Sequence, residues 1–515
     1  MSRLFQIILL THCVLSFTST YASDQARDLG PSALTTSRAL EGIAQWNERL
    51  KAVISVNPRA MDDARELDQQ RKAGKIRSPL HGIPILVKDN IETRELPTTA
   101  GSLALAGNDT GRDAALVQSL RAAGLVVLGK TNLSEWANFR SERSSSGWSG
   151  VGGQARNPYD LLRSPCGSSA GSAVAVAAGI VALAIGTETN GSIICPSAVN
   201  GIVGIKPTLG LVSRRGIVPI AHSQDTAGPM AFNVRDVAHL LNAMTAPDPQ
   251  DKASQAAESY FERDYSASLK TEGLKGKRIG VVRSLAGFHD AVDERFDQAV
   301  KDLAAAGASI IDDLELPQEP EDFGDATYNV LLYEFKHDLN VYLSGLPGDA
   351  GNLTLEKLIT FNQQNAESEM HWFGQDIFHK AQEKSGLDSL EYREAVALVQ
   401  QFSRTAIDDL LAAHDLDLLV SPSNTPAWSI DLVVGDHFLG GSSSFPARAG
   451  YPHITVPMGQ VHDLPVGLSF FSTAFSEPVL LEAAFAFEQA TLHARPPHGF
   501  GQWHPAVSVQ TGNKQ

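Results

Sequence analysis

The sequence predicts an α/β fold, with strands and helices alternating around a buried sheet. From Pro79 to about Ala246, short apolar runs alternate with amphipathic segments, the pattern expected when strands and helices share a layered core. Residues 320–415 are more charged and mostly helical in pattern. Strand character then returns toward the C-terminus. No internal repeat or low-complexity stretch interrupts this order, which excludes solenoids and propellers.

Taken along the chain, residues 83–87 read as a buried strand ending at Lys88-Asp89-Asn90. Residues 113–123 form a helix with Leu116 and Leu120 on one face. Gly124 stops it, and residues 125–128 are the next strand. Residues 141–155 are rich in Ser and Gly and read as a loop. The apolar run 173–185 is too short to span a bilayer and fits a buried helix followed by a strand. Residues 276–284 begin another strand, with a helix over 292–305. Strands at 416–421, 454–458 and 466–471 and a helix at 478–490 complete the reading. A single large domain over residues 23–505 is expected, with its core at about 75–245, a helical elaboration at about 320–415 and a tail at 506–515.

Composition narrows the function classes. With 515 residues and 43% apolar side chains, the chain has material for a large core. Its 43 glycines and 26 prolines are near average and argue against disorder or a collagen repeat. The net charge is −16, with the acids dispersed, so a basic face for nucleic acid is missing. Arg3, the apolar run after it and the small residues leading to Ala22 have the form of a signal peptide over residues 1–22. Its removal would take the net charge to about −17 and place the protein in the periplasm or outside the cell. Cys13 would leave with it. Cys166 and Cys195 then read as small buried hydrophobes, with a mutual disulfide as the alternative. Two isolated thiols with no nearby His-rich cluster make a poor zinc site.

Three separated segments carry the chemistry. In the first, Lys88 ends an apolar strand, where burial would favour the neutral amine that a general base requires. Taken alone, such a lysine reads as one that snorkels to solvent. The second, Gly167-Ser168-Ser169-Ala170-Gly171, precedes the apolar helix and could be a helix cap. It also matches the letters of a nucleophile elbow at Ser169, but the stretch before it is turn-like where the elbow needs a strand. The third is Gly186-Thr-Glu-Thr189-Asn190-Gly191-Ser192-Ile193. A serine in a Gly-containing turn beyond a buried strand sits on rigid backbone whose amides can converge on an oxyanion.

Together these segments resemble the amidase signature family, whose catalytic unit is a lysine, a serine in a Gly-Ser-Ser-x-Gly stretch and a Gly-Ser-Ile nucleophile. The spacing from Ser168 to Ser192 matches the family. The stretches Gly201-Ile-Val-Gly-Ile-Lys-Pro-Thr208 and Ser223-Gln-Asp225-Thr-Ala-Gly-Pro229 also have its form. The resemblance implies a large mixed β-sheet flanked on both sides by helices. It implies Ser192 as nucleophile, Ser168 as proton bridge after a cis peptide bond, and Lys88 as base, a mechanism for which neither a metal nor an organic cofactor is expected. Thr189, Asn190 and Gly191 would contribute to the oxyanion hole, and Asp225 would be a structural residue beside the site. Within the family the likeness is greatest to bacterial peptide amidases, through residues 129–140, Ser146-Gly-Trp-Ser149, Leu332-Tyr-Glu-Phe-Lys336 and Phe373-Gly-Gln375. The expected substrate is therefore a C-terminal peptide amide, cleaved with release of ammonia. An aryl acylamidase or broad small-amide hydrolase is the alternative. An amidotransferase A-type subunit fits less well with a signal peptide and an acidic surface, and intact Lys88, Ser168 and Ser192 count against a vestigial binding protein. One departure is that the wider family usually carries an arginine two residues after the nucleophile, where this chain has Ile194. No nucleic-acid partner and no stable membrane association after signal removal are expected. The sequence leaves the oligomeric state open.

Overall fold

Strand alternation decides which side chains of this chain face which layer. The computed structural model describes residues 29–507 apart from Glu262, so the expected signal segment lies outside the described residues. The strands are β1 (Val53–Val56), β2 (Pro84–Lys88), β3 (Val126–Thr131), β4 (Trp148–Ser149), β5 (Gly153–Gln154), β6 (Leu183–Glu188) and β7 (Val203–Lys206). They continue as β8 (Thr226–Ala231), β9 (Arg278–Val282), β10 (Ser309–Leu314), β11 (Leu418–Pro422), β12 (His453–Val461) and β13 (Leu464–Phe471). Eleven of them build one mixed sheet in the order β1-β3-β2-β6-β8-β7-β12-β13-β11-β9-β10. The trio β3-β2-β6 is parallel, as is β11-β9-β10. The strands between them run antiparallel to their neighbours.

Because side chains alternate across a strand, β2 feeds two cores. Ile85 and Val87 join one apolar layer with the helices Ala115–Ala122, Val234–Met244, Asp290–Ala305 and Glu477–Thr491. Leu86 joins the opposite layer with Pro31–Leu50, Ala60–Lys72 and Ala170–Ala177. The sheet is thus covered by helices on both faces, and β2, β3, β6, β7 and β8 are buried along their whole length, as two-sided coverage demands. The helices Phe323–Ser344, Leu355–Gln364, Asp376–Glu383 and Leu390–Ala413 form the helical elaboration. Phe335, Leu339 and Phe378 from it pack against Trp136, in the short helical turn Glu135–Asn138, and against Val218 and Ile220 in the loop before β8. No helix among the described residues is long and apolar enough to cross a membrane.

Three features differ from the sequence reading. Within 141–155, β4 and β5 pair as a short antiparallel ladder, Trp148 opposite Gln154. Two residues a side are too few to leave a period in the sequence. The region before Lys75 holds two helices and the edge strand β1, which pairs antiparallel with β3. There the Asp68 carboxylate accepts from the backbone N–H groups of Ser32 and Ala33, both at 2.9 Å, capping one helix from another. Finally, Cys166 and Cys195, read as separate buried hydrophobes, form a disulfide across a separation of 29 residues, with Cα atoms 6.0 Å apart. The two loops abut through the Ser169 N–H, which donates to Ser192 O at 3.1 Å, and that proximity is invisible in the chain order.

Candidate active site

The parallel strands β2 and β6 end side by side, with Val87 opposite Ile185. Lys88 and Thr187 therefore emerge together at one edge of the sheet, where open α/β sheets place their ligands. Lys88 is completely buried. Its Nζ lies 2.7 Å from Ser168 Oγ, 2.8 Å from Thr187 Oγ1 and 3.2 Å from Thr187 O. Asn90 Nδ2 donates to the same Thr187 Oγ1 at 3.0 Å. A neutral amine has two N–H donors and one lone pair. Thr187 can take both hydrogens, which leaves the lone pair facing the Ser168 hydroxyl.

The charges around Lys88 support that state. Burial lowers its pKa to about 7, partly opposed by the charges of Asp225 and Glu188. Both carboxylates are engaged elsewhere. Glu188 Oε2 accepts from Ile193 N at 2.7 Å and Ile194 N at 3.0 Å. Asp225 accepts from Thr189 Oγ1 at 2.6 Å and from the N–H groups of Ile220 and Ala221 at 2.7 and 2.9 Å. Burial raises Asp225 to about 6 against those bonds. Asp89, next in the chain, points to the other face of its strand and pairs with Lys130 at 3.0 Å. No carboxylate is left to hold Lys88 protonated by direct contact.

Ser168 is fully buried and follows a cis peptide bond from Gly167. Ser169 is turned away from the cleft. Its Oγ donates to Thr187 O at 3.0 Å and accepts from Thr187 N at 3.2 Å, so it neither caps the following helix nor forms an elbow. Ser192 lies at the floor of a cleft of about 400 Å³, together with Gly167 and Thr189-Asn190-Gly191. Its Oγ makes no hydrogen bond among the described residues. The backbone N–H groups of Thr189, Asn190, Gly191 and Ser192 likewise have no acceptor there, whereas those of Ile193 and Ile194 are taken by Glu188. Gly191 has φ +82°, and a Cβ on it would come within 2.9 Å of Ser443 Oγ, so this turn requires glycine. Asn190 is held from outside, its Oδ1 accepting from Ser443 Oγ at 2.8 Å.

The structure thus brings Lys88, Ser168, Ser192 and Thr189 to Gly191 into one site. The sequence reading passed over Thr187 and Glu188, which orient Lys88 and the turn after Ser192. Their place at the end of the strand beside β2 was the available signal. His222, Glu334 and Asp338 offer metal-ligand atoms within 4.8 Å of one another. These atoms are already used. His222 Nδ1 lies 2.8 Å from Asp338 Oδ2, and Glu334 accepts from Tyr392 OH at 2.8 Å and Ser223 N at 3.0 Å. The group is a closed ion-pair set beside the cleft.

Such a pocket, with buried lysine, paired serine segments and a row of free amides, occurs in a defined class of proteins. The Amidase family profile matches residues 35–481, and the chain belongs to the amidase signature family. It is an amide-hydrolysing enzyme. The solved peptide amidase of Stenotrophomonas maltophilia is 47% identical, with a TM-score of 0.87, over 94% of this chain and 98% of that one. A "Probable amidase" of Arabidopsis thaliana is 42% identical over 89% of this chain and 86% of its own length. A glutamyl-tRNA(Gln) amidotransferase subunit of Symbiobacterium thermophilum is 37% identical over 89% of this chain and 93% of its own.

Proposed function

We propose that this enzyme deamidates C-terminal peptide amides through an acyl-enzyme on Ser192, with Ser168 as proton bridge and Lys88 as base. The observation that carries the reading is a fully buried Lys88 with no carboxylate in contact, 2.7 Å from Ser168 Oγ. Neutral Lys88 takes the Ser168 proton as Ser168 takes that of Ser192, and Ser192 Oγ attacks the amide carbon. Ser192 Oγ must turn toward Ser168 when substrate fills the cleft, a tightening common between apo and substrate-bound sites. The negative charge on the carbonyl oxygen is received by the free amides between Thr189 and Ser192. Protonated Lys88 returns its proton through Ser168 to the departing nitrogen, and the C–N bond breaks with loss of ammonia. Water, deprotonated by the same relay, then attacks the ester and releases Ser192 and the peptide acid.

The peptide-amide substrate is supported by likeness to the solved peptide amidase along nearly its whole length. The amidotransferase subunit shares the amidase core at lower identity. We also propose export after cleavage near Ala22, which the disulfide supports, since such bonds persist in oxidising compartments.

Incubation with an amidated peptide should release ammonia and raise the product mass by about one unit, the difference between amide and acid. Internal fragments, or no reaction beside fast turnover of aryl amides, would overturn the substrate reading. Ser192→Ala should lose labelling by a fluorophosphonate and lower kcat by about 10⁴-fold or more. Retained labelling in that variant, with loss in Ser169→Ala, would move the nucleophile to Ser169.

A further inference from the structure

The cleft above Ser192 has a marked chemical bias. Asp436 is the one ionisable side chain among the described residues that line it. The disulfide, Val199, Ala427, Trp428 and Leu464 form a single apolar cluster, with Ile194 lining the cleft beside it. Phe438 meets the Trp428 ring edge-on at 6.0 Å between centroids. Trp428 Nε1 donates to Asp436 Oδ1 at 3.0 Å, and Ser146 N donates to the same oxygen at 3.1 Å. These bonds fix the carboxylate against the indole edge. Outside this wall, Leu162, Val433, Val434 and Leu439 are each more than half exposed and Phe438 about half. Leu162 is tied to this segment through its carbonyl, which accepts from Ile430 N at 2.9 Å. Phe438, which lines the cleft, is itself about half exposed, so the aromatic wall reaches solvent.

A side chain entering beside Ser192 on the Trp428 side would meet aromatic rings, the disulfide and the Asp436 carboxyl, with neutral polar groups such as Asn138, Ser423, Asn424 and Ser443 on the other walls. Burial raises the Asp436 pKa, opposed by its bonds from Ser146 and Trp428. An apolar or aromatic group gains by leaving water there. A carboxylate would be desolvated next to Asp436 with no cation to pair with it, which is costly. We propose that the cleft selects peptide amides whose last residue is apolar or aromatic and rejects those ending in an acidic residue. The side chain packs on the Trp428–Phe438 wall, and Asp436 supplies the rejection. This rests on the peptide-amide reading above and narrows it.

The test is kcat/KM for ammonia release from tripeptide amides that differ only in the last residue, Phe, Leu, Ala or Glu. Wild type should prefer the Phe and Leu amides over the Glu amide by about 100-fold or more, the scale of discrimination that a charge mismatch permits. Phe438→Ala should lower the Phe and Leu values about tenfold more than the Ala value. Asp436→Asn should narrow the gap between Phe and Glu amides by about tenfold. Equal rates across the wild-type series, or faster turnover of the Glu amide, would overturn the selection and leave the peptide-amide reading standing. If no amide of the series reacts while simple aryl amides do, both fall. The wild-type series involves no substitution, so a folding defect cannot mimic either outcome.

Discussion

The ends of β2 and β3 make an instructive pair. Each carries a lysine that is completely buried, on neighbouring parallel strands with Val87 opposite Lys130. Lys130 lies 3.0 Å from Asp89 Oδ1 and donates to Thr98 Oγ1 at 2.9 Å. Asp89 is further bonded by Thr99. Lys88 contacts only hydroxyls and a carbonyl. Burial lowers the pKa of both amines. Lys130 faces a carboxylate that favours the ammonium and opposes this shift. Lys88 feels only carboxylates bound elsewhere, and its pKa falls to about 7. The lesson is that burial alone does not make a base. The partner within hydrogen-bond reach decides which protonation state a buried lysine favours.

Substituting each lysine in turn should break this comparison most sharply. Lys88→Met should lower kcat on amides by about 10⁴-fold or more, with a smaller loss on activated esters, whose leaving group needs no proton. Its Tm near pH 7 should stay at or above that of wild type. The Lys88 pKa is lower in the folded chain than in the unfolded one, so its burial is a cost present in full below about pH 7. That cost fades as pH rises through the ordinary lysine range. The Tm advantage of the variant should therefore shrink on going from pH 7 to 10. Lys130→Met should do the opposite. It leaves Asp89 buried without its cation, at about 3–5 kcal/mol, so Tm and soluble yield should drop while kcat per folded molecule stays within about tenfold. Equal Tm losses in the two variants would erase the distinction.

A finer test uses pH. For wild type, kcat/KM should climb about tenfold per pH unit below 7 and level off above it, as Lys88 becomes neutral. Asp225 raises the Lys88 pKa, so Asp225→Asn should move this inflection to lower pH. An unmoved inflection would mean that a different group governs the profile. The smallest effect is expected from Ser169→Ala. That variant loses two bonds to Thr187 and about 1–3 kcal/mol of stability, seen as a modest drop in Tm, while fluorophosphonate labelling persists.

The sequence by itself determined the layered α/β core, because strand and helix periods and their glycine stops are local properties of the chain. It also marked the segments around Lys88, Ser168 and Ser192, whose spacing carries the family likeness. The strand pattern alone could not rank the lysines, and only the family likeness singled out Lys88. Lys88, Lys130 and Lys206 each stand at or near the end of an apolar strand and look alike in the chain. Nor could it pair Cys166 with Cys195 or bring Trp428, Asp436 and Phe438 over the cleft. Those outcomes depend on which strands lie side by side and in what register, so groups from 29 to more than 200 residues apart become neighbours. A residue's period along its strand tells which face it takes, but only the packed sheet supplies the atoms it meets there.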